Sequence, residues 1–319
     1  MIMSRNEKRK AWDLILVIAI SAVLGTWLIT SSATAQAASN TSLSFTATAD
    51  KAQYILGEPI HLTVRLTNTG TEPVNVPKYL DPKEGTIVVK VTTPQGLTFA
   101  YVPLSLLCSD SPPVALKPGE VAGGVFPIFY GARGWTFPDP GTYKIAVICE
   151  IEAKQRVRYM AEPLTLVVST DKAGALIVNE GLASSQAAKF LLWQSGDHLL
   201  EGIALLERMK EKYPDSVLSD YASFALGKSL SRHFKDYSAK KVRLPDYKRS
   251  LEHLKKVKAD KLPRYLRVQH NLVQAKCYVE LNQPQQAKEL VAKTRKLIAD
   301  RPELLHFDAN IARINRRLK

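Results

Sequence analysis

The stretch LLEGIALLERMKEKYPDSVLSDYASFALGKSL, running from Leu199 to Leu230, decides how the chain is read. Leu199, Ile203, Leu206, Met209 and Tyr213 recur at three- and four-residue spacing, which places them on one face of a helix that must stop before Pro214. Asp215 or Ser216 then caps a second helix, along which Leu218, Tyr221, Ala222, Ala225, Leu226 and Leu230 mark the apolar stripe. Two amphipathic helices joined by a proline turn predict a helix-on-helix architecture for this half of the chain.

The same pattern continues to the C-terminus. Tyr247, Leu251, Leu254 and Val257 predict a further helix. Pro263, Pro284 and Pro302 each open another, because proline fits a first helical turn where its missing N–H is not needed. Between the second and third helices, a basic segment around Lys240 to Pro245 breaks the period and reads as an irregular insertion. The turn Tyr213, Pro214, Asp215, Ser216, followed by Ala222, Ala225, Leu226 and Gly227, resembles the start of a tetratricopeptide-type repeat, as found in cell-envelope assembly proteins. Tyr247, Ser250 and Leu254 would take second-helix positions, and Ala275, Tyr278, Ala287 and Val291 a further pair. The resemblance implies a helical array that presents a surface to other proteins.

Working back towards the N-terminus, the period changes to two. Ile60, Leu62, Val64 and Leu66 alternate with His61, Thr63, Arg65 and Thr67, and similar runs extend from Leu43 to Val168, punctuated by Gly, Pro, Asn and Asp. Short alternating strands at this spacing predict an antiparallel β-sandwich. Tyr54, Gly57, Glu58, Pro59 and Ile60, then Leu116, Pro118, Gly119 and Glu120, then Phe137, Pro140, Gly141 and Tyr143 make this half similar to the immunoglobulin-like domains of secreted bacterial proteins, including the BsuPI proteinase-inhibitor family.

The expected organisation is therefore a multidomain β + α chain. Residues 1–37 form a signal peptide, 38–170 an Ig-like sandwich, 171–185 a polar linker and 186–319 a tetratricopeptide-like helical domain. The signal reading rests on the basic residues Arg5, Lys8, Arg9 and Lys10, an apolar run from Leu14 to Ile29, and the Ala35, Gln36, Ala37 site. It places the mature chain in a periplasm or outside the cell, with an uncleaved membrane anchor as the alternative. Export permits disulfides, and Cys108 and Cys149 fall in the same predicted domain, as a bridge or as two separate thiols. Cys277 reads as a small core residue.

Charge separates the halves. Residues 38–170 carry 11 basic and 11 acidic side chains, whereas residues 171–319 carry 29 and 17. The positive excess of the helical half suits an acidic or phosphate-bearing partner, and export makes nucleic acid an unexpected one. The candidate anion-binding set is Lys240, Lys241, Arg243, Lys248, Arg249, Lys255 and Lys256, for which a solvated helical face is the plainer reading. In the sandwich, the glycine-punctuated loop holding Tyr130, Arg133, Trp135 and Phe137 has the residue types that dominate interfaces, although its aromatics could simply cover the end of the sandwich.

No two of the six histidines lie within four residues, so no helical metal-binding pair is available. The chain also lacks a G-x-S-x-G elbow, a Walker-type loop and a G-x-G-x-x-G fingerprint. These readings converge on an exported, non-enzymatic interaction or scaffold protein of the cell envelope, needing no cofactor and engaging other envelope proteins. The alternatives are a protease inhibitor acting through a sandwich loop and a binder of anionic envelope components through the basic helices.

Overall fold

The computed structural model describes residues 42–107, 111–152, 156–237 and 239–318. The expected signal segment and Cys108 lie outside them. Among the described residues, no helix is long and apolar enough to cross a membrane.

The period-two segments form strands where the alternation places them. In chain order these are β1 (Leu43–Ala49), β2 (Gln53–Ile55), β3 (His61–Asn68), β4 (Val74–Val76), β5 (Ile87–Thr92), β6 (Thr98–Ala100) and β7 (Val114–Leu116). They continue with β8 (Val121–Pro127), β9 (Tyr130–Gly131), β10 (Gly134–Trp135), β11 (Gly141–Glu152), β12 (Arg156–Met160) and β13 (Leu164–Ser169). One sheet has the order β1-β3-β8, and the other runs β2-β13-β11-β5-β6 with β12 also paired to β11. The pairing is antiparallel except for β2 on β13, which is parallel. Leu62, Val64, Leu66 and Phe126 from the first sheet share a buried cluster with Val89, Val91, Tyr143, Ile145, Val147 and Leu166 from the second. This is the interdigitated core of a sandwich.

The helical half begins earlier than the sequence suggests. Residues 171–185, expected as a linker, contain helix α1 (Lys172–Ser184), in which Ala173, Ile177 and Val178 are buried. Asp171 starts it by accepting the Gly174 N–H at 2.6 Å, so the polar run that resembled a linker is a helix cap. There follow α2 (Gln186–Trp193), α3 (Leu200–Lys212), α4 (Val217–Leu230), α5 (Tyr247–Leu254), α6 (Arg264–Glu280), α7 (Pro284–Ile298) and α8 (Asp308–Arg317). Ser216 is the cap of α4, accepting from the Leu218 N–H at 3.3 Å, and Pro284 occupies the first turn of α7. The basic insertion is a short hairpin, β14 (Phe234–Asp236) with β15 (Lys241–Arg243). Pro302–Phe307 is a 3-10 turn preceding α8 rather than the first turns of one long helix. Where α4 and α5 cross, a Cβ on Gly227 would lie 2.6 Å from Leu254 Cγ, so the contact requires glycine.

The two halves share their interior. One buried cluster runs without interruption from Leu43 through α1, α2, α3 and α4 to Cys277. The helices cover part of the outer face of β1-β3-β8, over β3 and β8, while Ser44, Thr46 and Thr48 of β1 stay exposed. Arg65 on β3 forms a two-point ion pair with Glu303 of the 3-10 turn, at 3.0 Å for Nε to Oε2 and 2.9 Å for Nη2 to Oε1. Directly opposite Arg65 in register is Gly123 on β8, where a Cβ would lie 2.7 Å from Glu303 Cβ and 3.0 Å from its Cα. The glycine lets the turn sit against the sheet backbone. Val125 of β8 packs beside this contact onto a second cluster holding Val268, Leu272, Val291, Phe307 and Ile311.

Glu303 retains 5% of its side-chain exposure and Arg65 33%. Removing the arginine strands a buried carboxylate, whereas removing the glutamate leaves a guanidinium that water can reach. Arg65→Ala should therefore cost about 3 kcal/mol and Glu303→Ala less, as measured by urea unfolding.

Candidate functional site

The residues singled out in the sequence fall into three groups. Tyr130, Trp135 and Phe137 do not form an exposed contact surface. All three are buried, with the Trp135 ring edge-on to Tyr130 at 5.6 Å and Phe137 edge-on to Tyr143 at 5.0 Å. The β9–β10 turn folds them onto the end of the sandwich and leaves Arg133 exposed. Cys149 is a free thiol buried on β11, pushed up to about 12 by that burial.

Within the basic set, Arg243 is structural. Its guanidinium grips both carboxylate oxygens of Asp197 and donates to the Ser229 carbonyl at 3.0 Å, which ties the β14–β15 hairpin to the helices. Lys240, Lys241, Lys248, Arg249, Lys255 and Lys256 are exposed. None of them lines the basic groove between α4, α6 and α8 or the basic cleft between β1-β3-β8 and α6.

A different set of cations converges on a groove of about 360 Å³ between α4, α6 and α8. Lys228 and Arg232 come from the end of α4 and the residues after it, Lys276 from α6, and Arg313 and Arg317 from α8. The floor is apolar, built from Leu272, Val273, Val279, Phe307 and Ile314, and among the described residues no carboxylate lines the groove. Each helix contributes at three- or four-residue spacing, because one face of α6 supplies Gln269, Leu272, Val273 and Lys276 in succession.

Lys228 lies deepest. Its ammonium donates to the side-chain oxygens of Gln194 and Gln269 and sits 5.5 Å from the Phe224 ring centre. Two amide oxygens accept from it without neutralising its charge, and burial, helped by Arg232, lowers its pKa to about 7. Burial likewise lowers Arg232 and Lys276, whose Nζ donates to the Ser231 carbonyl at 2.8 Å. Arg317 differs, being paired with Glu280 beside the groove. The groove thus holds partly desolvated positive charge over an apolar floor, an arrangement that an anionic group with apolar neighbours would complement.

The sequence did not reveal this set because its members are spread over some ninety positions. The usable signal was two basic pairs at four-residue spacing, Lys228 with Arg232 and Arg313 with Arg317.

No protein-family model matches the chain, and no curated protein matches it. Solved structures do show partial likeness. A CARDB domain from Pyrococcus furiosus is 15% identical with a TM-score of 0.24, over 40% of this chain and 94% of that one. Spo0M, a sporulation control protein from Bacillus subtilis, is 13% identical with a TM-score of 0.26, over 44% of this chain and 56% of that one. A beta-glucosidase from Listeria innocua is 16% identical with a TM-score of 0.24, over 40% of this chain and 16% of that one. These likenesses say nothing of activity.

The Lys228 environment has a pH signature. Its ammonium is disfavoured in the folded chain and ordinary in the unfolded one, so between about pH 7 and the usual lysine range the unfolded state binds more protons. Stability from this residue rises with pH across that window, by at most about 1.4 kcal/mol per pH unit. Lys228→Met should remove the slope, which paired urea titrations at pH 7, 8 and 9 would measure.

Proposed function

We propose that the chain is an exported, non-enzymatic binding protein of the cell envelope, whose helical half receives an acidic segment of another protein. The observation that carries this reading is the α4–α6–α8 groove. Its five cations surround an apolar floor, and among the described residues no acid lines it. The helix pairs then act as a tetratricopeptide-like array, and the sandwich as an Ig-like domain of the BsuPI type that braces it. Support for an envelope setting comes from the basic, apolar and A-x-A features of residues 1–37.

A partner's carboxylates would restore the charge balance that Lys228, Arg232 and Lys276 lack. Its apolar side chains would cover Leu272, Val273 and Ile314, excluding water and strengthening the ion pairs. The rim arginines would set the association rate and its salt dependence. Inhibition of a protease through Tyr130, Trp135 and Phe137 is disfavoured by their burial.

The test is a photo-reactive benzophenone side chain placed at Asn310 within the groove, with exposed Glu289 on α7 as the control position. Irradiation of intact cells should yield a discrete adduct from position 310 whose partner segment is acidic, and none from 289. The paired reversal Arg232→Glu with Arg313→Glu should reduce that adduct at least tenfold. Equal labelling from both positions, or an adduct indifferent to charge reversal, would contradict the reading.

A further inference from the structure

A second cavity, of about 560 Å³, lies between the outer face of β1-β3-β8 and the start of α6. Its sheet wall is built by Thr46, Thr48, His61, Thr63 and Arg65, which the register of β1 and β3 sets on one face. Its helical wall comes from the chain around Lys261 to Arg267 and from Arg301 to Leu304. Six cations line it, Lys51, Arg65, Lys261, Arg264, Arg267 and Arg301, against three acids, Asp50, Asp260 and Glu303.

The acids do not neutralise the arginines of the helical wall. Glu303 is engaged by Arg65, and Asp50 accepts the Tyr54 hydroxyl at 2.7 Å. Lys51 is paired with Glu58. Among the described residues, no carboxylate lies within ion-pair distance of Arg264, Arg267 or Arg301. Burial and the proximity of Arg301 and Arg267 lower the pKa of Arg264, and the Glu303 carboxylate, already engaged by Arg65, offsets this only in part.

The start of α6 faces the same space. Helix α6 is 17 residues long and opens at Pro263 with no side chain capping its first turn, so its free N–H groups and dipole favour an anion. His61 is 6% exposed, and its Nδ1 has no hydrogen-bond partner. Arg267 Nε is also buried without one. Both atoms are out of reach of solvent, so it is the remaining guanidinium N–H groups of Arg267 that can meet a ligand.

We infer that this cleft binds a small molecule bearing a tetrahedral oxyanion, a phosphate or sulfate ester, held by Arg264, Arg267 and Arg301 against the threonine-lined sheet. Planar guanidinium forks match the oxygen edges of such a group. The volume exceeds what a bare ion needs and is that of a small-molecule site. The ligand would bridge sandwich and helices, and its site is separate from the α4–α6–α8 groove.

Calorimetric titration of the full chain with phenyl phosphate, phenyl sulfate and benzoate tests the inference. At least one ester should bind saturably at one site per chain, the tighter of the two identifying the oxyanion, and benzoate at least tenfold more weakly. Arg264→Gln with Arg301→Gln should weaken the ester at least tenfold, whereas Lys241→Gln with Lys256→Gln should change it less than twofold. Should the double arginine variant lose its circular-dichroism signature, Arg301→Gln alone should still weaken binding at least threefold. Absence of saturable ester binding, equal affinity for benzoate, or equal sensitivity to the surface lysines would overturn it.

Discussion

The Arg65–Glu303 ion pair, seated over Gly123, is the constraint on which the arrangement of the two halves depends. It joins a strand residue at 65 to a turn residue at 303, so it is made only when the helical half is docked on the sheet. A mostly buried carboxylate is tolerable only with its partner in place. The pair therefore specifies one docking of helices on sheet more than it adds net stability. Gly123 makes the approach sterically possible, and Val125 and the cluster around Phe307 supply the apolar burial that accompanies it.

That docking creates both basic cavities. The outer face of β1-β3-β8 would be ordinary solvated sheet surface if the halves were independent. With the helices on it, Thr63 and Arg65 become one wall of a cleft, and the uncapped start of α6 the other. The groove between α4, α6 and α8 depends on the same event, because Phe307, part of its floor, belongs to the 3-10 turn that carries Glu303. Positive charge thereby becomes concentrated in recesses, although most lysines singled out from the linear sequence remain on open surface. Partial desolvation makes the recessed charges the ones able to discriminate between ligands.

Local structure was largely legible. The alternation of Leu62, Val64 and Leu66 locates β3, and Pro214 with Ser216 locates the α3–α4 turn, because periodicity and capping act over a few residues. Legibility failed where long-range packing decides. Asp171 and Gly174 look like linker residues until the helix they start is seen to bury Ile177 against the sandwich. Tyr130, Trp135 and Phe137 have the composition of an interface, yet a two-residue strand pairing turns them inward. Arg243 reads as one more surface cation until Asp197, 46 residues earlier, is found beside it. Neither cavity was visible, because each draws its cations from elements that only tertiary folding brings together.

The central claim is that sandwich and helices form a single body, and two buried thiols allow a direct measurement. Cys149 lies in the sandwich core and Cys277 in the helical half, both inaccessible to solvent. In a Cys108→Ser background, the labelling rate of each thiol can be followed against urea concentration. One body predicts that both become reactive over the same narrow range, with coincident midpoints. Exposure of Cys277 at a urea concentration that leaves Cys149 protected, or the reverse, would show that the halves unfold independently and would contradict the account.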